Sequence, residues 1–315
     1  MFTIWALMVR YLTLDKCFAL ALFSLVLILP PAPVEAETSP AWSGVWGASP
    51  ENVFFVGEYG RIARYDGKTL QEMESGTELW ISAVSGTSAD SVFAAGYNGL
   101  ILHYNGTIWE KMETGVTNDL NGIYAQSEDN VFAVGDRGTI LHFNGSRWTV
   151  SDSGTQNLLF SVWGNAPDQI FAAGGRGTLL RYNGDRWEPL DVPQKGHYIG
   201  IWGRSKDDLY MVGDAGLALH FNGTGWEPLP LGTDQVLRSV SGSSSHIIIA
   251  GEEGTVFHFD GSRASSMRAP VKEPVRSIWV SGPNRFFAVV ESYLYQYTNE
   301  NWEPLALLSP PPQAQ

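Results

Sequence analysis

Four histidines carry the most obvious chemistry in this sequence. His103, His142, His220 and His258 stand one or two repeats of 38 or 39 residues apart, and four imidazoles are enough to hold a zinc or iron ion if they converge. Arg64, Arg181 and Gln296 occupy the same register elsewhere in the chain. Residues repeated at a fixed period in a closed array point out around a ring, so the spacing predicts a structural polar position and no bound metal or cofactor. His197 and His246 fall outside the register and read as isolated.

Hydrolysis of a glycan by a sialidase-like route would need arginines gathered on a carboxylate, an activated tyrosine beside a glutamate, and an acid aspartate. Arg64 and Arg181, or Arg147, Arg186 and Arg263, fall at repeated positions, so repetition explains their recurrence. No unique acid, base or nucleophile set stands out, and the expectation is a protein without catalytic residues. Cys17 is the only cysteine. It lies in an N-terminal apolar run, which leaves the rest of the chain without a disulfide, thiol nucleophile or thiolate metal site.

The side chains with most to say are those that differ between repeats. A G-x-x-G phrase recurs, and its two inner residues are Glu58 and Tyr59, Tyr97 and Asn98, Asp136 and Arg137, Gly175 and Arg176, Asp214 and Ala215, Glu252 and Glu253, with Glu291 and Ser292 in the last copy. A scaffold fixes its core and leaves its binding loops free. The candidate binding face therefore comprises Glu58, Tyr59, Tyr97, Asn98, Asp136, Arg137, Arg176, Asp214, Glu252, Glu253 and Glu291. It mixes carboxylates with two arginines and two tyrosines. Tyr59, Tyr97 and Asn98 suit a sugar as well as a protein.

These residues need a frame, and the repeat supplies one. The phrase VFAVGDRGTILHFNGSRW, from Val131, has near copies along the chain, and the residue closing its first strand is Gly57, Gly96, Gly135, Gly174, Gly213, Gly251 and finally Val290. The steps are 39 residues except one of 38. Units of about 40 residues with several short strands are the signature of a β-propeller of four-stranded antiparallel blades. Seven blades are predicted, over residues 37–305.

Within each unit the first strand carries a small residue at Gly44, Ala83, Gly122, Ser161, Gly200, Ser239 or Ser277, as crowding near the axis demands. The second strand reads VFAVG and the third GTILHFNG. Between them the glycines of G-x-x-G permit positive φ. An Asn-Gly or Asp-Gly pair then turns the chain into the outermost strand. That strand opens with Trp109, Trp148, Trp187, Trp226 or Trp302, which reads as packing between sheets. The Asn-Gly face, nearly constant between blades, reads as shaped by hairpin geometry alone. No strand is obviously borrowed to close the ring, unless residues 37–42 pair with the last blade.

The ends differ from the repeats. Arg10 and Lys16 precede an apolar run from Cys17 to Leu29, followed by PPAPVEA, which reads as a signal peptide over residues 1–36 cleaved after Ala36. An uncleaved membrane anchor is the alternative. Residues 306–315 read as a proline-rich tail. The formal net charge of -13 is unchanged by removing the leader, which holds two basic and two acidic residues. Such acidity gives no electrostatic footprint for nucleic acid.

The unit W-G-x-S-x-x-D-V-F-A-V-G-x-x-G-T-I-L-H-Y-N-G-x-x-W resembles the Asp-box or BNR-like propellers, and within them the secreted bacterial proteins grouped with photosystem II assembly-factor-like propellers. The resemblance spans about residues 42–305. The family Asp box is S-x-D-x-G-x-T-W. Asn144, Gly145 and Trp148 take similar places, with a turn one residue shorter and Phe143 before the Asn. The resemblance implies a rigid, non-catalytic platform that holds another protein, such as an envelope or membrane-protein subunit, during assembly, and a monomer is expected. A carbohydrate-binding propeller or glycosidase-like enzyme is the alternative.

Overall fold

The computed structural model describes residues 40–307 apart from position 245. These residues form seven four-stranded antiparallel sheets, each built from one continuous stretch: Trp42–Met73, Ile81–Lys111, Leu120–Ser151, Leu159–Pro189, Tyr198–Pro228, Leu237–Ser266 and Val275–Pro304. The strands of each sheet lie in chain order from first to fourth. This is the seven-bladed propeller that the period predicts, and its helical content is confined to three-residue 3₁₀ turns. The leader and residues 308–315 of the tail lie outside the described residues.

Second strands are buried on both faces because neighbouring blades cover both sides. Val131, Phe132, Ala133 and Val134 are each fully buried. The hydrophobic clusters accordingly span pairs of blades. Trp109 meets Phe54 of the preceding blade edge-on at 6.1 Å, and Trp187 meets Phe132 at 5.9 Å, the geometry aromatic quadrupoles favour. Trp109, Trp148 and Trp187 are buried as packing rings, while Trp226 and Trp302 are half-buried.

The first strands crowd one another as expected. A Cβ at Gly122 would come 3.0 Å from the Phe160 carbonyl oxygen. Two of the three serines at this position accept a neighbouring blade's backbone N–H: Ser239 from Ile278 at 3.0 Å, and Ser277 from Val45 at 3.3 Å across the ring closure. Among the described residues no strand is exchanged at that closure. It is held by a core shared by Val45, Phe55, Tyr65, Phe287 and Val289, by Trp42 N–H donating to Glu291 O at 2.8 Å, and by a bridge between Leu70 and Leu307. Leu307, in the segment read as tail, thus contributes to closure.

Two turns work differently from the sequence expectation. In G-x-x-G the first glycine is extended (Gly135 φ −169°), and positive φ falls on the second inner residue and the last glycine, Arg137 at 55° and Gly138 at 70°. Contact explains the first glycine: a Cβ on Gly135 would lie 2.0 Å from Asp119 O, and one on Gly138 would lie 2.1 Å from Thr155 O. The loop is thus wedged between the links on either side of its blade. The Asn-Gly turn is a four-residue loop in place of a two-residue hairpin. Asn144 Oδ1 accepts the N–H groups of Ser146 and Arg147, both at 3.1 Å, and only Gly145 has positive φ, an Asx turn. In blade six Asp260 has this role, and the N–H groups of Arg263 and Ser262 hold its pKa down at about 2.

The histidine register is a pairing position within each blade. His142 meets Asn130 at 2.7 Å, His220 meets Asp208 at 2.8 Å, and His103 meets Ser91 at 3.3 Å. Arg64 likewise donates to Asn52 at 2.5 Å, and Arg285 to Gln296 at 3.3 Å. His246, read as isolated, is the partner of His258 at 2.6 Å. The sequence hides this because the partner lies eleven or twelve residues upstream and varies among Asn, Ser, Asp, His and Arg from blade to blade. Among the described residues no group of three or more His, Cys, Asp or Glu is placed to hold a metal.

Candidate functional site at the channel mouth

The G-x-x-G loops share one face with the links between blades, to which they are hydrogen-bonded: Asp136 N–H donates to Asp119 O at 2.9 Å, and Gly99 N–H to Asn118 O at 3.0 Å. The two inner residues then separate by direction. The second lies in the left-handed region and projects into solvent, as do Tyr59, Asn98, Arg137, Arg176 and Glu253. Tyr59 is 69% exposed.

The first inner residue turns back onto its own blade, and each carboxylate there has a partner. Glu58 accepts Ala41 N–H at 2.9 Å, Asp136 accepts the Asn121 amide at 3.2 Å, and Asp214 accepts His197 N–H at 2.8 Å. Glu252 pairs with Arg238, and Glu291 with Arg276 at 2.9 Å. The rim of carboxylates anticipated from sequence is therefore a ring of satisfied acids. Tyr97, the exception, stacks on Trp80 at 5.4 Å with planes 14° apart, and Trp80 Nε1 donates to Ser43 Oγ at 2.6 Å.

These groups surround a cavity of about 460 Å³ at the mouth of the central channel, lined by the first strands of all seven blades. Its rim is asymmetric. The Trp80–Tyr97 stack stands between blades one and two, Phe160 and Ile199 are on blades four and five, and the Arg238–Glu252 and Arg276–Glu291 pairs are on blades six and seven. Gly175 has no side chain to cover blade four, and His197 lies beside Phe160 at 6.2 Å. The exposed Tyr293 opens the third strand of blade seven, next to the last loop, where glycine is lost.

Of the eleven residues singled out in sequence, Tyr97 lines the cavity; Asp136, Glu252 and Glu291 are tied to its lining residues Asn121, Arg238 and Arg276, Glu58 and Asp214 to link backbone, and Tyr59, Asn98, Arg137, Arg176 and Glu253 are exposed. Sequence reasoning passed over Trp80, Asn121, Phe160, Arg238 and Arg276. A signal for most of them was present. Between the large apolar residue opening the first strand and the small one that follows, the position reads Ser43, Ser82, Asn121, Phe160, Ile199, Arg238 and Arg276, the same blade-to-blade divergence that marked the loops.

No sequence family and no curated protein matches the chain. Solved structures do. YCF48 from Cyanidioschyzon merolae superposes with a TM-score of 0.67 at 15% identity, covering 84% of this chain and 98% of that one. A structure of YCF48 bound to D1 peptide gives 0.68 at 14% identity, covering 84% and 95%. The RRP9 WD40 repeats give 0.68 at 12% identity, covering 80% and 88%. At these identities the likeness is one of fold, a β-propeller.

Proposed function

We propose that the chain is a secreted or periplasmic, non-catalytic propeller that holds a segment of another protein, such as an envelope or membrane-protein subunit, on its G-x-x-G face across the channel mouth. The observation that carries this reading is the asymmetry of a rigid rim: an aromatic stack on one side, arginine–glutamate pairs on the other, and loops whose glycines are wedged against the links. Such a rim gives one orientation to a docked chain, with aromatic and arginine groups of the kind that dominate protein interfaces. A neighbour of the same fold, YCF48, is bound to a D1 peptide in one structure, which supports the reading. The acids at the rim are occupied by structural partners, which favours recognition over proton transfer.

A pull-down from the native envelope fraction, read beside a glycan array, tests this. Capture of a protein by the wild type, lost with Trp80→Ala and Tyr97→Ala together, is the expected result. Glycan binding lost with the same pair, and no captured protein, would turn the reading to a carbohydrate-binding propeller.

A further inference from the structure

Four blades carry Asn-Gly in the turn between the third and fourth strands, at Asn105, Asn144, Asn183 and Asn222, and two carry Asp-Gly, at Asp66 and Asp260. Asn-Gly is the dipeptide most open to loss of its side-chain amide, because glycine has no Cβ to keep its backbone nitrogen from the preceding side chain. That nitrogen gives up its proton and attacks Cγ, the Cγ–Nδ2 bond breaks, ammonia leaves and a succinimide ring remains. Water then opens the ring to aspartate or isoaspartate. The only co-reactant is water.

The four sites are not equivalent. Asn105 Nδ2 donates to Glu110 at 3.1 Å, and Asn222 Nδ2 to Glu227 at 2.8 Å. Each of these amides is held by a carboxylate five residues on, and an aspartate in its place would set two negative charges together. In blade four that position is Glu188, taken up by Arg186 at 2.8 Å, but a new charge at Asn183 would meet Asp185 two residues on. In blade three it is Thr149, whose hydroxyl donates to His142 O at 3.2 Å. Asn144 Nδ2 has no partner among the described residues, and Asn144, Gly145, Ser146 and Arg147 are all exposed.

The bonded end of the Asn144 side chain is its carbonyl. Oδ1 accepts the N–H groups of Ser146 and Arg147, both at 3.1 Å, and the Ser146 hydroxyl at 2.9 Å. Donors on that oxygen stabilise the charge that gathers there as Cγ is attacked. Asn222 has the same three donors, so the amide end separates the two sites. The Gly145 N–H has no acceptor among the described residues, and nothing must break to free it.

Blade six shows what the product looks like. Asp260-Gly-Ser-Arg differs from Asn144-Gly-Ser-Arg only in its first residue. Asp260 Oδ1 accepts the Ser262 and Arg263 N–H groups and the Ser262 hydroxyl, each at 2.8 Å. The turn is built as well for a carboxylate as for an amide, with an arginine at its fourth position in both blades.

We propose that Asn144 is a site of spontaneous deamidation in the folded chain, which adds a negative charge beside Arg147 on the Asn-Gly face and gives blade three the turn of blade six. Asn105 and Asn222 are protected by Glu110 and Glu227. The proposal is independent of docking at the channel mouth.

The test incubates the full chain in warm, mildly alkaline buffer and follows the acid content of each Asn-Gly peptide by mass spectrometry, each rate being taken relative to the same site in the guanidinium-unfolded chain. On that scale Asn144 is expected to convert at least about tenfold faster than Asn105 and Asn222, the rate counterpart of a hydrogen bond to a charged acceptor. Thr149→Glu is expected to slow Asn144, and Glu110→Ala to speed Asn105. Asn144→Asp, the aspartate product itself, is expected to keep the wild-type melting temperature. Three results would overturn the proposal: Asn144 converts no faster than Asn105 and Asn222, neither Thr149→Glu nor Glu110→Ala moves the rate at its site, or Asn144→Asp melts well below the wild type.

Discussion

His246 and His258 stack in blade six with ring centroids 4.8 Å apart, Nδ1 of the first lying 2.6 Å from Nε2 of the second. One ring must donate its N–H and the other accept, so the pair is compatible with a neutral His258 and opposed to two charges. Burial pushes the His258 pKa down and the His246 ring lowers it further, against a smaller pull upward from Asp260. Burial also lowers His103 and His142.

With folded pKa values depressed, the unfolded chain binds more protons in the window below about 6.5. The histidine contribution to stability is thus present above that pH and lost as pH falls through the folded values. The melting temperature of the wild type should drop on acidification below about pH 6.5, and His258→Gln should flatten the slope without removing it, since His103 and His142 remain. An unchanged slope in His258→Gln would show that the pair does not titrate on folding.

Trp187→Ala should destabilise the fold by about 3 to 5 kcal/mol, the usual cost of emptying an aromatic site in a packed core. Its ring is 7% exposed and packs edge-on against Phe132. Trp226→Ala should cost less, because that ring is half-exposed beside a cavity. Chemical denaturation of the two variants measures the difference, and equal losses would contradict the packing described.

Blade number and strand order were legible in the sequence because each repeat restates the same burial pattern, and the glycine period near 39 residues counts the blades. The face carrying the variable loops was legible for the same reason. What the sequence concealed was direction. Nothing in the pair Asp136–Arg137 says that the aspartate turns inward to Asn121 while the arginine faces water. That division depends on a left-handed backbone at Arg137, which the motif suggests only for its glycines. Trp80 was obscured because it ends a link of variable sequence and finds Tyr97 only in the folded ring.

The wedge explanation for G-x-x-G can be separated from backbone strain. Gly138 and Gly154 both have positive φ, 70° and 68°, but a Cβ on Gly138 meets the Thr155 carbonyl while one on Gly154 meets nothing within 4 Å. Gly154→Ala should therefore cost only the left-handed penalty of about 1 to 2 kcal/mol. Gly138→Ala should cost clearly more, because the link must also move. Similar losses in the two variants would show that the carbonyl contact is soft.

The docking face can be tested by charge. Arg137 and Arg176 project from two adjacent blades without a salt bridge among the described residues, and Asp136 is next to Arg137 in the loop. Arg137→Glu and Arg176→Glu with Asp136→Asn should weaken partner binding and reduce its dependence on salt, since screened attraction between exposed charges is what these residues supply. The melting temperature should stay nearly constant, because exposed ion pairs are worth roughly 0 to 1 kcal/mol and the variant keeps an acceptor beside the Asn121 amide. Triple substitution at Ser146, Asp185 and Thr224, all in Asn-Gly turns on the opposite face, is the control. Loss of the protein partner in the control with retention in the loop variant would place docking on the Asn-Gly face and reject the channel mouth as its centre.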